Sequence, residues 1–152
     1  MTLLTRRATL TIALALPLAA CGGRKPEPKA EKPAGSAEVH RLIGKYSREY
    51  DLPEQLVHRV VKSESGYNPA ARNGPYYGLM QLLPETARTM GHRGSAQSLL
   101  DAETNLKYGV KYLRGAYLVA RGNQARAIGW YRRGYYYEAK RMGLLKETGL
   151  RS

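Results

Sequence analysis

The stretch from Pro53 to Ala87 constrains this chain more than any other. It starts a helix, forces it to stop, and crowds turn residues together before a second helix begins. Pro53 suits a first helical position, where its missing N–H has no intrahelical partner. Leu56, Val60 and Glu64 stand at i, i+4 and i+8 with Val57 and Val61 beside them, so one apolar stripe ends in a carboxylate. Gly66 is the expected stop. Glu64 is thereby expected on the inward face at the negative end of the helix dipole, where burial and dipole both disfavour an ionised carboxylate. A carboxylic acid that keeps its proton is what general-acid catalysis needs. The plain alternative for an isolated glutamate is a last-turn side chain curling into solvent.

Beyond Glu64 the chain is unusually punctuated. Ser65-Gly66-Tyr67-Asn68-Pro69 reads as one turn and Asn73-Gly74-Pro75 as another. Gly78-Leu79-Met80-Gln81-Leu82 sets a residue without Cβ beside a thioether and an amide. Pro84-Glu85-Thr86-Ala87 restarts a helix. The pair ESGYNP and GLMQLLPETA, at this spacing, resembles the catalytic core of the lytic transglycosylases of the soluble-lytic-transglycosylase (SLT) type, a lysozyme-like family that cleaves peptidoglycan. The resemblance continues through Asn105-Leu106 and Gly109-Val110-Lys111-Tyr112-Leu113, similar to the family's Asn-Ile…Gly…Tyr-Leu helix. Its last block, Ala-Tyr-Asn-x-Gly in the family, stands here as Trp130-Tyr131-Arg132-Arg133-Gly134. Together the blocks cover about Pro53 to Gly134.

The resemblance implies an all-α, lysozyme-like domain with room for one small hairpin near Tyr76–Gln81. It makes Glu64 catalytic and gives Gln81, Met80, Asn73, Tyr131, Asn105 and Tyr77 to substrate binding, with Tyr131 hydrogen-bonded to Glu64. Tyr67, Tyr76, Trp130 and Tyr135 to Tyr137 are further candidates for the cleft wall. Two departures stand out. Asn73 holds the place of a family serine in a loop one residue shorter, and Arg132 replaces the family asparagine. Arg132 can be read as a solvated cation favoured by the helix end, or as a contact to an anionic peptide carboxylate.

The implied mechanism uses one carboxyl group. Glu64 protonates the glycosidic oxygen between N-acetylmuramic acid and N-acetylglucosamine, then acts as base on the muramic C6 hydroxyl, giving a 1,6-anhydro sugar without water. Ordinary glycosidases pair two carboxylates, and no second one is evident; Glu85 is explained by a helix start. The alternatives are a hydrolytic, goose-type-lysozyme-like muramidase and a non-catalytic cell-wall-binding lipoprotein. No cofactor and no metal are expected, since His40, His58 and His92 are scattered.

Elsewhere the chain reads as helices. Val39, Leu42, Ile43, Tyr46 and Tyr50 have helical spacing; Asp101 and Asn123 are candidate N-caps; Leu106, Val110, Leu113 and Tyr117 mark the longest helix. A short basic and aromatic helix comes after Gly134. With 12 tyrosines and no phenylalanine, tyrosine must supply much of the aromatic packing.

Before that domain, expected at 37–152, the sequence is of another kind. Arg6 and Arg7 precede an apolar run, Ala8 to Ala20, too short to span a bilayer, which marks residues 1–20 as a signal peptide. Leu18-Ala19-Ala20-Cys21 resembles the lipobox of bacterial lipoproteins, with Cys21 the lipid-bearing residue. Residues 21–36 then carry three prolines, alternating charges and no large apolar residue, the composition of an extended tether. By the same resemblance, Gly22 rather than Asp after the cysteine favours the outer membrane, facing the periplasm. The net charge is +13, and subtracting the six cations and two glutamates of residues 1–36 leaves +9. Such an excess attracts an anionic polymer. No nucleic-acid motif accompanies it, so the expected partners are peptidoglycan strands and, through the lipid, a membrane, with the protein acting as a monomer.

Overall fold

Ser36 opens the described part of the chain. The computed structural model describes residues 36–151; the expected signal peptide, Cys21 and the rest of the expected tether lie outside them. The Ser36 hydroxyl accepts the Val39 N–H at 3.2 Å and so caps α1 (Ala37–Glu49). α2 (Glu54–Ser65) starts one residue later than expected, because Pro53 has an extended ψ of 121° and serves as N-cap. Its end is as expected: Gly66 takes the left-handed conformation and its N–H returns to the Lys62 carbonyl at 3.1 Å.

The hairpin lies slightly earlier in the chain than the sequence suggests. β1 (Arg72–Asn73) pairs antiparallel with β2 (Tyr76–Tyr77) around a two-residue Gly74-Pro75 loop, and an isolated bridge then joins Tyr77 to Leu82. α3 (Pro84–Thr89) comes next with Pro84 at its start. Residues 96–100 form a 3₁₀ turn that Ser95 opens. Asp101 then caps α4 (Ala102–Val119), accepting the Thr104 N–H at 2.8 Å, and Asn123 caps α5 (Gln124–Arg133), accepting that of Arg126 at 3.0 Å. α6 (Tyr136–Arg141) is short and basic.

Helix α4 is the spine: α1, α3, α5 and the 3₁₀ turn all pack on it, and α2 packs on α1. Leu42, Ile43, Leu56, Val57, Val60, Val61, Leu106, Val110 and Leu113 meet in the core and are essentially inaccessible to water. Each such side chain contributes about 1.5–3 kcal/mol relative to an exposed one. Tyrosines do stand in for phenylalanine. Tyr46, Tyr131 and Tyr135 are buried, and the Tyr135 hydroxyl donates to the Tyr112 carbonyl at 2.8 Å. Among the described residues no helix is long and apolar enough to cross a membrane.

Candidate active site

The end of α2, the hairpin and the end of α5 surround an open cleft of about 860 Å³. Helix α2 delivers Glu64 into it one turn after the last buried valines, so the apolar stripe anchors the helix and the carboxyl emerges at its rim. The Glu64 side chain is 20% exposed. Its Oε1 accepts from Arg132 Nε at 3.0 Å, and Arg132 Nη2 also donates to the Ser63 hydroxyl at 2.9 Å. The Arg132 side chain is 54% exposed. With the arginine half in water, the pair is held by about 1 kcal/mol.

The floor of the cleft rests on an irregular segment whose buried polar groups need partners. Three side chains supply them. Asn105, fully buried, accepts the Met80 N–H at 2.9 Å and donates to the Tyr77 and Leu99 carbonyls, both at 2.8 Å. Tyr131 donates its hydroxyl to the Met80 carbonyl at 2.7 Å. Ser65 donates to the Leu79 carbonyl at 2.8 Å. The backbone passes so close to this cluster that a Cβ on Gly78, whose φ is +70°, would stand 2.4 Å from the Leu99 oxygen and 2.5 Å from Asn105 Nδ2. On the other side, a Cβ on Gly109 of α4 would stand 2.6 Å from the Met80 sulfur, so this glycine is what lets Met80 pack.

Burial holds the Tyr131 phenol well above the usual tyrosine range, and the nearby Glu64 charge adds to the effect. Tyr131 is therefore a neutral donor at any physiological pH.

The expected site residues divide into two sets. Glu64, Asn73, Gln81 and Tyr131 line the cleft together. Gln81, at φ +47°, uses its amide hydrogens on the Ala71 and Gly78 carbonyls at 3.2 and 2.9 Å, which leaves its oxygen to offer a ligand. Met80 and Asn105, in contrast, are fully buried and out of a ligand's reach; they shape the floor from beneath. Tyr77 also stands behind the lining, with its ring under the Arg72 guanidinium at 3.8 Å and its carbonyl on Asn105. The expected Tyr131–Glu64 hydrogen bond is replaced by the one to Met80, because the phenol points at the floor.

Of the other aromatic candidates, Tyr76 lines the cleft, Tyr135 is core, and Tyr136 and Tyr137 are exposed beyond the rim. Sequence reading overlooks Ser63 and Ser65, whose only signal is a hydroxyl on either side of Glu64. It also misses the tie between Glu64 and Arg132. His40 and His58 are not scattered as expected: their rings lie 5.1 Å apart, and Tyr67 sits against both. No group of three or more metal-ligating side chains occurs among the described residues.

The sequence that builds this cleft has counterparts among known proteins. The family profile of the Transglycosylase SLT domain matches residues 41–144, which include the whole cleft. The chain belongs to this family. Its SLT domain is 35% identical over 82 residues to a transglycosylase of Enterobacteria phage PRD1, covering 53% of this chain and 29% of the phage protein. It is 34% identical over 80 residues to the membrane-bound lytic murein transglycosylase C of Haemophilus influenzae strain PittEE, covering 47% and 22%. It is 31% identical over 101 residues to the soluble lytic murein transglycosylase of Salmonella typhimurium, covering 61% and 16%. The chain thus spans less than a third of the length of each of these relatives. The helical SLT domain with its tiny hairpin agrees with the all-α, lysozyme-like expectation.

Proposed function

We propose that this protein is a peptidoglycan lytic transglycosylase that cleaves the bond between N-acetylmuramic acid and N-acetylglucosamine without water. One observation carries the reading: among the described residues lining the cleft, Glu64 is the single carboxyl group. A hydrolase of the usual kind needs a second carboxylate opposite the acid, and none of the described residues lining the cleft supplies one. One carboxyl group suffices if it works twice. As the C1–O bond breaks, the Glu64 O–H passes its proton to the departing sugar's oxygen. The substrate's N-acetyl group stabilises the cationic ring. The Glu64 carboxylate then takes the proton of the muramic C6 hydroxyl while that oxygen bonds to C1, and the acid is restored. The net result is one chain end with a 1,6-anhydro sugar and one new hydroxyl.

The cleft surroundings suit the binding of a sugar beside Glu64. Tyr131 and Asn105 hold the floor, and the Gln81 oxygen can take a hydrogen bond from the sugar. The names of the relatives, membrane-bound and soluble lytic murein transglycosylases, agree with a murein substrate and a place in the cell envelope. We infer further that Cys21 carries lipid and that residues 22–36 let a monomeric domain reach the wall from the membrane, the outer one by the Gly22 argument. This part rests on the sequence of residues 1–36.

Mass spectrometry of sugars released from purified peptidoglycan tests the activity. Anhydro-muramic ends are expected; reducing muramic ends would show a hydrolase, and no release would show a binding protein. Glu64→Gln keeps the shape but cannot deliver a proton, so turnover falls at least about 100-fold with the fold intact. Retained activity would remove Glu64 from the mechanism. Cys21→Ser moves the protein from the membrane to the soluble fraction or blocks its processing. Equal membrane binding of variant and wild type would refute the lipid anchor.

A further inference from the structure

Arg132 departs from its family's pattern, and the structure shows where it goes: onto the acid itself. Its Nε–H donates to Glu64 Oε1 at 3.0 Å, a hydrogen bond strengthened by the charge of the guanidinium. Ser63 seats the other arm of the guanidinium, so the pair is a shaped contact rather than a chance approach. The guanidinium takes up Oε1, one of the two oxygens of the carboxyl group, so a sugar oxygen can meet that atom only after Arg132 has moved. For Oε1 to take part in the reaction, Arg132 has to let go.

Two observations indicate what would make it do so. The first is charge. Arg72, Arg132 and Arg133 line the cleft against the one carboxyl group of Glu64, so the cleft has room for a further anion. The second is occupation. Arg72 is spread over the Tyr77 ring and donates to the Gly74 carbonyl at 3.2 Å, and Arg133 lies over the Trp130 ring at 4.0 Å. Arg132, half in solvent, is tied instead by a single bond to one oxygen of Glu64, and its planar fork could take a second carboxylate with two parallel bonds in exchange.

We propose that Arg132 is a specificity-determining residue that exchanges Glu64 for a carboxylate on the substrate's peptide, so that peptide-bearing strands free the acid and bare glycan does not. The inference rests on the transglycosylase reading above and deepens it by naming the substrate group that is sensed.

The full-length protein in detergent, wild type and Arg132→Asn, is assayed on peptidoglycan and on the same glycan stripped of its peptides by an amidase. Anhydro ends are counted and kcat/KM compared. Wild type is expected to prefer peptide-bearing strands by about tenfold, a preference that added salt compresses. Arg132→Asn is expected to lose most of that preference by gaining rate on bare glycan, a gain that a structural role for Arg132 would not produce. Because Arg132 is exposed, the variant should fold, and circular dichroism checks that it does. An unchanged preference, or an equal loss on both substrates, overturns the proposal while leaving the transglycosylase reading standing. Absence of anhydro ends from wild type on both substrates overturns both.

Discussion

Tyr131 and Arg132 are neighbours on one helix, yet they belong to opposite kinds of structure. Tyr131 is buried, with its hydroxyl on a backbone carbonyl that has no access to water. Arg132 lies half in solvent and holds a carboxylate that water could hold as well. The first contact is costly to break, because a buried acceptor would be left without a donor. The second is inexpensive to open, because both partners are rehydrated. Successive residues of α5 thus fix the floor of the cleft and leave its rim adjustable. The rigid part of this site is built from backbone held by side chains, whereas the changeable part is side chain held by side chain.

Three substitutions probe that division between floor and rim. Asn105→Ala is expected to cost most. It strips partners from the Met80 N–H and from two carbonyls, each worth about 1–3 kcal/mol, so urea unfolding should show a loss of about 3 kcal/mol or more. A loss under about 1 kcal/mol would mean that the floor does not depend on this clamp. Tyr131→Phe keeps the ring and removes one donor, so a loss of about 1–2 kcal/mol is expected, measured in the same way. A neutral result would place the phenol with the adjustable contacts. Arg132→Ala should change stability by less than about 1 kcal/mol. A drop as large as that of Tyr131→Phe would show that the rim is part of the frame after all.

Most of the fold was legible because its signals are local. Asp101 and Asn123 mark helix starts through short side-chain acceptors that reach only two or three residues ahead, and Gly66 marks a stop through its own backbone freedom. Pro53 reads one position too far into its helix, since a proline fits both the cap and the first turn and only ψ tells them apart. The site was legible in part. Glu64 announces itself by ending an apolar stripe. Asn105 does not announce its job: a polar residue on a core helix looks the same whether it meets a sugar or a carbonyl 28 residues away. The tie between Glu64 and Arg132 spans 68 residues of chain, and no periodicity reports a contact between the ends of two helices that meet only in the folded chain.

Trp130 gives the rim a practical use. It is the one tryptophan of the chain, it stands two residues before Arg132, and the Arg133 guanidinium lies over its indole. Indole emission responds to the charge and hydration around the ring. Everything else that absorbs strongly in the near ultraviolet is tyrosine, which selective excitation leaves dark. Movement at the cleft edge can therefore be followed by the protein's own fluorescence, without a label and with no second chromophore to confuse the signal.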